Sequence, residues 1–189
     1  MKTSYYSREE LDSLGFKSYG ENVFISRNAV FYDAGRISIG DNVRIDDFCI
    51  IIGDVTIGSN IHIAPYCALY GKFGIRIGDY CGLSARVTIY SAVDDFSGEY
   101  AVGPMVDDSV RKLDTGPVVL EDYVQVCAGC VVLPHLTIGK GSVVGSLSLV
   151  KTDLPGWGIF AGIPVRFLRA RKPDLVQKIE SVQDVRSQG

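Results

Sequence analysis

The stretch Ile39-Gly-Asp-Asn-Val-Arg-Ile45-Asp-Asp-Phe-Cys-Ile-Ile51-Ile-Gly-Asp-Val-Thr-Ile57-Gly-Ser-Asn-Ile-His-Ile63-Ala-Pro-Tyr-Cys-Ala-Leu69 sets an aliphatic residue at every sixth position. After two extra residues the rhythm resumes at Ile77, Leu83 and Ile89. A second run follows at Leu120, Val126, Val132, Ile138, Val144 and Val150. Gly often comes next (Gly40, Gly58, Gly78, Gly139, Gly145), and four positions after the aliphatic residue stands a small or aliphatic one: Val43, Cys49, Val55, Ile61, Cys67, Val87, Cys130. Neither a 3.6-residue helix nor a two-residue alternation yields such a period. It suits a solenoid of triangular cross-section, in which three hexads make one coil of about 18 residues. Coils stack by parallel strand pairing about 4.8 Å apart. The repeated apolar residue points inward, because no single coil buries its own face.

About five coils cover residues 23–155. Residues 1–22 form an N-terminal cap, with a short helix over 4–15 that Ser7 and Glu10 open as a capping box and Gly15 stops. Residues 95–118 leave the repeat, and so long a loop on a rigid scaffold is usually functional. Residues 156–189 are a basic segment, with a turn at Pro164 and a helix around Asp174–Val182. The expected fold class is all-β, a parallel β-helix with a short N-terminal helix, a protruding loop and a C-terminal helical segment.

Composition narrows the function. The chain has 189 residues, enough for one domain. A net charge of −3 gives no basic face for nucleic acid. No apolar run is long enough to span a membrane. Met1 to Glu10 is polar and lacks the apolar stretch of a secretory signal, so the expected location is cytoplasmic. Of the five Cys, Cys127 and Cys130 spell a lone C-x-x-C with no second pair and no nearby His. They read as small buried thiols rather than metal ligands.

The coil length places neighbours. Arg44, His62 and Gly82 share one ladder; Asp46, Ala64, Ser84, Cys127 and Gly145 share another. Phe48, Tyr66 and Arg86 stack in a third, Tyr70 and Tyr90 in a fourth. Arg44, Asp46, His62, Ser84 and Arg86 thus gather from distant sequence, with Asp94 at the mouth of the loop. Each has a plainer reading: Asp46 and Asp47 also suit a solvated coil face, Arg44 an ion pair with Asp46, and His62 an ordinary exposed strand position. His135, beside Pro134 in a turn, reads as structural.

The repeat resembles the hexapeptide-repeat acyltransferase family, which implies a left-handed β-helix and a homotrimer with sites between subunits. The segment Ile89-Tyr-Ser-Ala-Val-Asp94 is similar to that of the maltose and galactoside O-acetyltransferases, in which the last position holds a catalytic His. Here it holds Asp94, and the chain's two His, His62 and His135, lie elsewhere. A hydroxyl acceptor needs a good base, and His suits that task near neutral pH. A carboxylate with a pKa of about 4 does not. A neutral amine attacks without one. The stretches Val43–Cys49, His62–Gly71 and Asp94–Glu99 resemble N-acyltransferases acting on dTDP-linked 4-amino-4,6-dideoxyhexoses, which implies N-acylation of a nucleotide-linked amino sugar for a surface glycan.

On this reading Ser84 bridges the amine and the CoA sulfur, and Asp94, with Glu99, orients the sugar and receives the proton. Arg44, Asp46, Asp47, His62, Tyr66, Arg86 and Tyr90 bind the sugar nucleotide, and coil amides hold the oxyanion. Ala128, Gly129, Gly145 and Ser146 leave room for the pantetheine arm. Gly162-Ile-Pro-Val165 matches the family's closing Gly-x-Pro-Ala, and Arg166, Arg169, Arg171 and Lys172 meet the CoA phosphates. Acyl-CoA, acetyl-CoA by default, is a co-substrate, with no tightly bound cofactor and no metal. Three alternatives stand beside this: a sugar O-acetyltransferase with His62 as base, a β-helix carbonic anhydrase, which needs three His on one zinc, and a scaffold without catalysis.

Overall fold

The computed structural model describes residues 4–187, with side chains through Gln183. Residues 1–3 and 188–189, the outer ends of the expected cap and C-terminal segment, lie outside the described residues. The chain winds as a three-faced parallel β-helix. On one face the strands Phe24–Ile25, Val43–Ile45, Ile61–Ile63, Gly82–Leu83, Gln125–Val126, Val143–Val144 and Gly158–Gly162 stack in parallel. The other two faces join into a ten-stranded sheet through the long strands Ile50–Ile57 and Ala68–Ile77.

The register follows the hexads. Ile45 pairs with Ile63, Ile63 with Leu83, Leu83 with Val126 and Val126 with Val144. Every one of these side chains is at most 1% exposed. Their burial forms a continuous apolar column, each side chain contributing about 1.5–3 kcal/mol. The alternate positions Val43, Cys49, Cys67, Val87 and Cys130 are buried too. Cys49 and Cys67 are free thiols that donate to the carbonyls of Ala64 and Ser84 at 3.2 and 3.1 Å. Each thiol fills an inward position and spends its weak donor on the neighbouring rung.

The corners need left-handed backbone. Phe48, Tyr66, Arg86 and Leu147 all take positive φ in one corner column, with Gly129 between Arg86 and Leu147. Non-glycine residues there cost roughly 1–2 kcal/mol each, and stacking offsets part of that cost. The Phe48 and Tyr66 rings stack at 5.1 Å, and the Arg86 guanidinium lies 5.5 Å from the Tyr66 ring centre. A second corner carries Asn22, Asn42, Asn60, Tyr80, Tyr123 and Trp157, again at positive φ. Its Asn side chains bond in a row and its aromatic rings stack.

The flanking segments refine the sequence expectations. The first helix, Arg8–Ser13, is shorter than 4–15 but starts on the expected capping box of Ser7 and Glu10. Strand pairing begins inside the expected cap, where Ser18–Tyr19 pairs with Ser38–Ile39. The loop leaves through a hairpin in which Ala92–Asp94 pairs antiparallel with Leu113–Thr115. The repeat does not stop at 155. Val144 pairs with Phe160, so one more strand joins the stack. Where a turn and then a helix were expected after Pro164, Val165–Ala170 folds back antiparallel on Gly158–Gly162. The helix follows as Leu175–Ser187. No alternation marks the fold-back because Val165 alone of Val165–Ala170 packs against the core, and Phe167 and Leu168 are exposed among the basic residues.

Candidate active site

Strand alternation builds the site. Val43 and Ile45 point inward, so Arg44 points out; Ile61 and Ile63 do the same for His62. Asp46, one residue past the strand, is 7% exposed. Its Oδ1 accepts Arg44 Nε at 2.7 Å and its Oδ2 lies 2.7 Å from His62 Nε2, with Tyr5 Oη 3.5 Å away. Burial alone raises this carboxyl; the hydrogen bonds from His62 and Arg44 outweigh it and hold the carboxyl below the ordinary range. The His62 ring is therefore fixed across two coils.

On the next rung Gly82 has no side chain, and the ladder continues to Gln125. Asn60, His62, Ala64, Tyr80, Cys81, Gly82, Leu83, Ser84, Ala85 and Gln125 line a recess of about 350 Å³. Ser84 sits at its edge, and Gln125 Nε2 reaches Ser84 Oγ at 3.4 Å. Gln125 was not singled out from the sequence, although the register that aligns Ser84 with Cys127 also sets Gln125 beside Gly82.

Asp94 is placed differently. It ends the first strand of the hairpin, beyond Thr88–Tyr90, so a whole strand separates it from the Ser84 corner. It is not among the residues lining the Ser84 recess. Its Oδ1 accepts Arg111 Nε at 2.8 Å. That bond, helped by one from the Gly103 amide, lowers the Asp94 carboxyl. Arg111 lies inside the loop, where no repeat could register it. The expectation that one chain gathers Ser84 and Asp94 in a single crevice is corrected accordingly, and a carboxylate so held is a poor store for a proton. Glu99 stands on an exposed turn of the loop, its amide donating to Ser97 Oγ.

The remaining candidates divide. Asp47 accepts from Ser26 and Asn28 and ties the first coil together. Tyr66 and Arg86 share the exposed stack with Phe48. Tyr90 stacks on Tyr70 at 5.0 Å, and burial pushes its phenol up. Three coil amides beside the recess are engaged between rungs: Ser84 N donates to Val126 O, Cys127 N to Val144 O and Gly145 N to Phe160 O. His135 occupies a left-handed turn and packs over Gly116, a structural position.

Above the recess, Gly129, Val131, Leu147, Ser148, Leu149 and Ile163 line an apolar hollow of about 330 Å³. It adjoins the small residues Ala128, Gly129, Gly145 and Ser146. Gly145 also has a packing reason, since a Cβ there would lie 2.9 Å from the Ala161 Cβ. Arg166 and Arg169 are exposed on the fold-back strand, and Lys172 is exposed just beyond it. Arg171 is not free in the same way. Its Nη1 donates to the carbonyls of Tyr123 and Gly141 at 2.9 and 2.8 Å, fastening the fold-back to the aromatic corner.

A hexad-built solenoid with a polar recess on one face and a small-residue strip above it defines a class, the acyl-CoA-dependent acyltransferases of the hexapeptide-repeat type. Residues 36–71 match the family described as bacterial transferase hexapeptide (six repeats). The S84C mutant of AntD, an N-acyltransferase from Bacillus cereus, solved with dTDP-4-amino-4,6-dideoxyglucose and coenzyme A, superposes with a TM-score of 0.96 at 45% identity, covering 98% of this chain and 100% of that one. An Escherichia coli dTDP-4-amino-4,6-dideoxy-D-glucose acyltransferase is 40% identical over 182 residues, 95% of this chain and 94% of that protein. Galactoside O-acetyltransferase of Escherichia coli K12 is 28% identical over 86% of this chain and 68% of its own length. The chain belongs to the hexapeptide-repeat acyltransferase family and has its left-handed β-helix fold.

Proposed function

We propose that the protein transfers an acyl group from acyl-CoA to the amino group of a dTDP-linked 4-amino-4,6-dideoxy sugar. The observation that carries this is the likeness to AntD along the whole chain, a protein solved with that sugar nucleotide and coenzyme A together. AntD has also been solved with 3-hydroxybutyryl-CoA and as S84A and D94A variants. This chain has the same residue types at the same numbers, Ser84 and Asp94, which supports placing both in the site.

The neutral amine attacks the thioester carbonyl; the C–N bond forms and the C–S bond breaks. Ser84 bridges the amine and the departing sulfur. Asp94, aimed by Arg111 and held below the usual carboxylate range, orients the sugar through its carboxylate rather than taking the proton. His62, fixed by Asp46, offers its ring to the sugar nucleotide from the recess. The apolar hollow by Gly129 and Ile163 takes the pantetheine arm, and Arg166, Arg169 and Lys172 meet the CoA phosphates. The active form is a homotrimer with sites between copies. The separation of Asp94 from the Ser84 recess supports this, as do the exposed loop residues Phe96, Val102 and Met105, the last 94% exposed. The enzyme acts in the cytoplasm on a precursor of a surface glycan; among the described residues no helix is long and apolar enough to cross a membrane.

The test is a panel of dTDP-, UDP- and GDP-linked sugars carrying an amine or a hydroxyl at the same carbon, with acetyl-CoA and thiol release as readout. The dTDP-linked amine should be preferred over its hydroxyl counterpart by more than about 100-fold. Equal turnover of the hydroxy sugar would support the second reading, a sugar O-acetyltransferase. One observation favours that reading: an Asp46-held His62 is also the arrangement of a general base.

A further inference from the structure

We infer that Gln125 is a positioning residue that sets the direction of the Ser84 hydrogen bond, so that the Ser84 hydroxyl proton is offered to the CoA sulfur. The inference deepens the proposed function and rests on Ser84 lying between amine and thioester.

The side-chain amide of Gln125 lies across the rung. A Cβ on Gly82 would come within 2.4 Å of Gln125 Oε1, so the missing side chain at Gly82 makes room for it. Gln125 Nε2 is 3.5 Å from Val126 O and 3.4 Å from Ser84 Oγ. A backbone carbonyl only accepts. The amide end facing Val126 O is therefore the NH2 end, and the same nitrogen faces Ser84. With Gln125 donating to one lone pair of Ser84 Oγ, the hydroxyl proton must point to another acceptor, out into the recess.

Directionality matters for proton balance. After attack the tetrahedral adduct carries an extra proton on nitrogen. As the C–S bond breaks, its electron pair goes to sulfur. Ser84 passes its own proton to that sulfur and takes the amine proton on its remaining lone pair, ending unchanged. A partner that accepted from Ser84 would turn the proton away from sulfur and stop the relay.

The experiment compares wild type with Gln125→Glu, Gln125→Ala, Gly82→Ala and Ser84→Ala, using acetyl-CoA and the dTDP-linked amino sugar, with circular dichroism to verify folding. At pH 8 an ionised carboxylate in place of the amide accepts from Ser84. Q125E should lose about 100-fold in kcat, with KM for both substrates within about threefold of wild type. Q125A frees the hydroxyl to rotate and should lose only about tenfold. The carboxylic acid form donates again, so the Q125E to wild-type ratio should climb as pH falls towards 5. His62, Tyr80 and Cys81 also face the recess, so each Q125E value is read against wild type at the same pH. G82A displaces the amide without altering it and should match Q125A, a check that holds if a Gln125 variant folds poorly. If Q125E equals or exceeds Q125A at pH 8 with a flat ratio, the inference is overturned while the proposed function stands. If S84A keeps full turnover, Ser84 is no relay and the site reading falls together with the inference.

Discussion

Asp46 and His62 belong to successive coils, yet Asp46 Oδ2 sits 2.7 Å from His62 Nε2 while the carboxylate's other oxygen holds Arg44. The carboxylate is buried and both partners are half-exposed. Its folded pKa lies below the ordinary value, so ionised Asp46 stabilises the fold. That contribution is fully present above the unfolded pKa of about 4 and is lost as pH falls through the lower folded value. Replacing Asp46 by Asn should cost about 1 kcal/mol at pH 7, a modest figure because solvent screens the partners. The difference from wild type should shrink at pH 3. Urea unfolding at the two pH values measures this; an equal difference at both would show that the charge is not the cause.

If each site joins Ser84 of one copy to Asp94 of the next, two inactive variants should complement. Ser84→Ala and Asp94→Asn, co-expressed with separate tags and purified as mixed trimers, should recover about a third of wild-type activity, since each mixed trimer keeps one of its three sites intact. Mixed trimers no more active than the single variants would place both residues in a site built by one copy.

Arg111 aims the Asp94 carboxylate and lowers its pKa. Arg111→Met should let the Asp94 carboxyl rise towards its ordinary value. KM for the sugar nucleotide should then increase by about tenfold at neutral pH, and further only as the pH falls towards about 4, the ordinary carboxylate range. KM for acyl-CoA should hold. Steady-state kinetics with each substrate varied in turn separates the two.

The basic residues near the C-terminus should divide by role. Arg171 spends its guanidinium on the Tyr123 and Gly141 carbonyls, so Arg171→Ala should lower stability by about 1–3 kcal/mol. Arg166→Ala and Arg169→Ala should leave the melting temperature within about 1 °C while weakening CoA binding several-fold. Differential scanning calorimetry and isothermal titration with CoA read both quantities.

The six-residue period was visible because each inward position tolerates only aliphatic or small side chains, so burial wrote itself into spacing. Counting along that period also placed Ser84 over Cys127, Phe48 over Tyr66 and Tyr70 over Tyr90. Arg111 and Tyr5 were hidden, because the loop and the cap obey no repeat and their side chains reach the site by tertiary packing. The Val165–Ala170 fold-back was hidden for a related reason: its basic residues, Phe167 and Leu168 are all exposed, and one half-buried Val165 makes no period.

From the residues alone came the three-sided coil, its register and the absence of a His at position 94, all of them consequences of side-chain volume and chemistry at regular intervals. Whether neighbouring polar groups bond, and in which direction, was a matter for the folded chain. Asp46 turning onto His62, Gln125 lying over Gly82, and Asp94 ending a strand away from Ser84 each depend on corner geometry, and angles and distances at corners are fixed by packing between coils that sequence spacing does not encode.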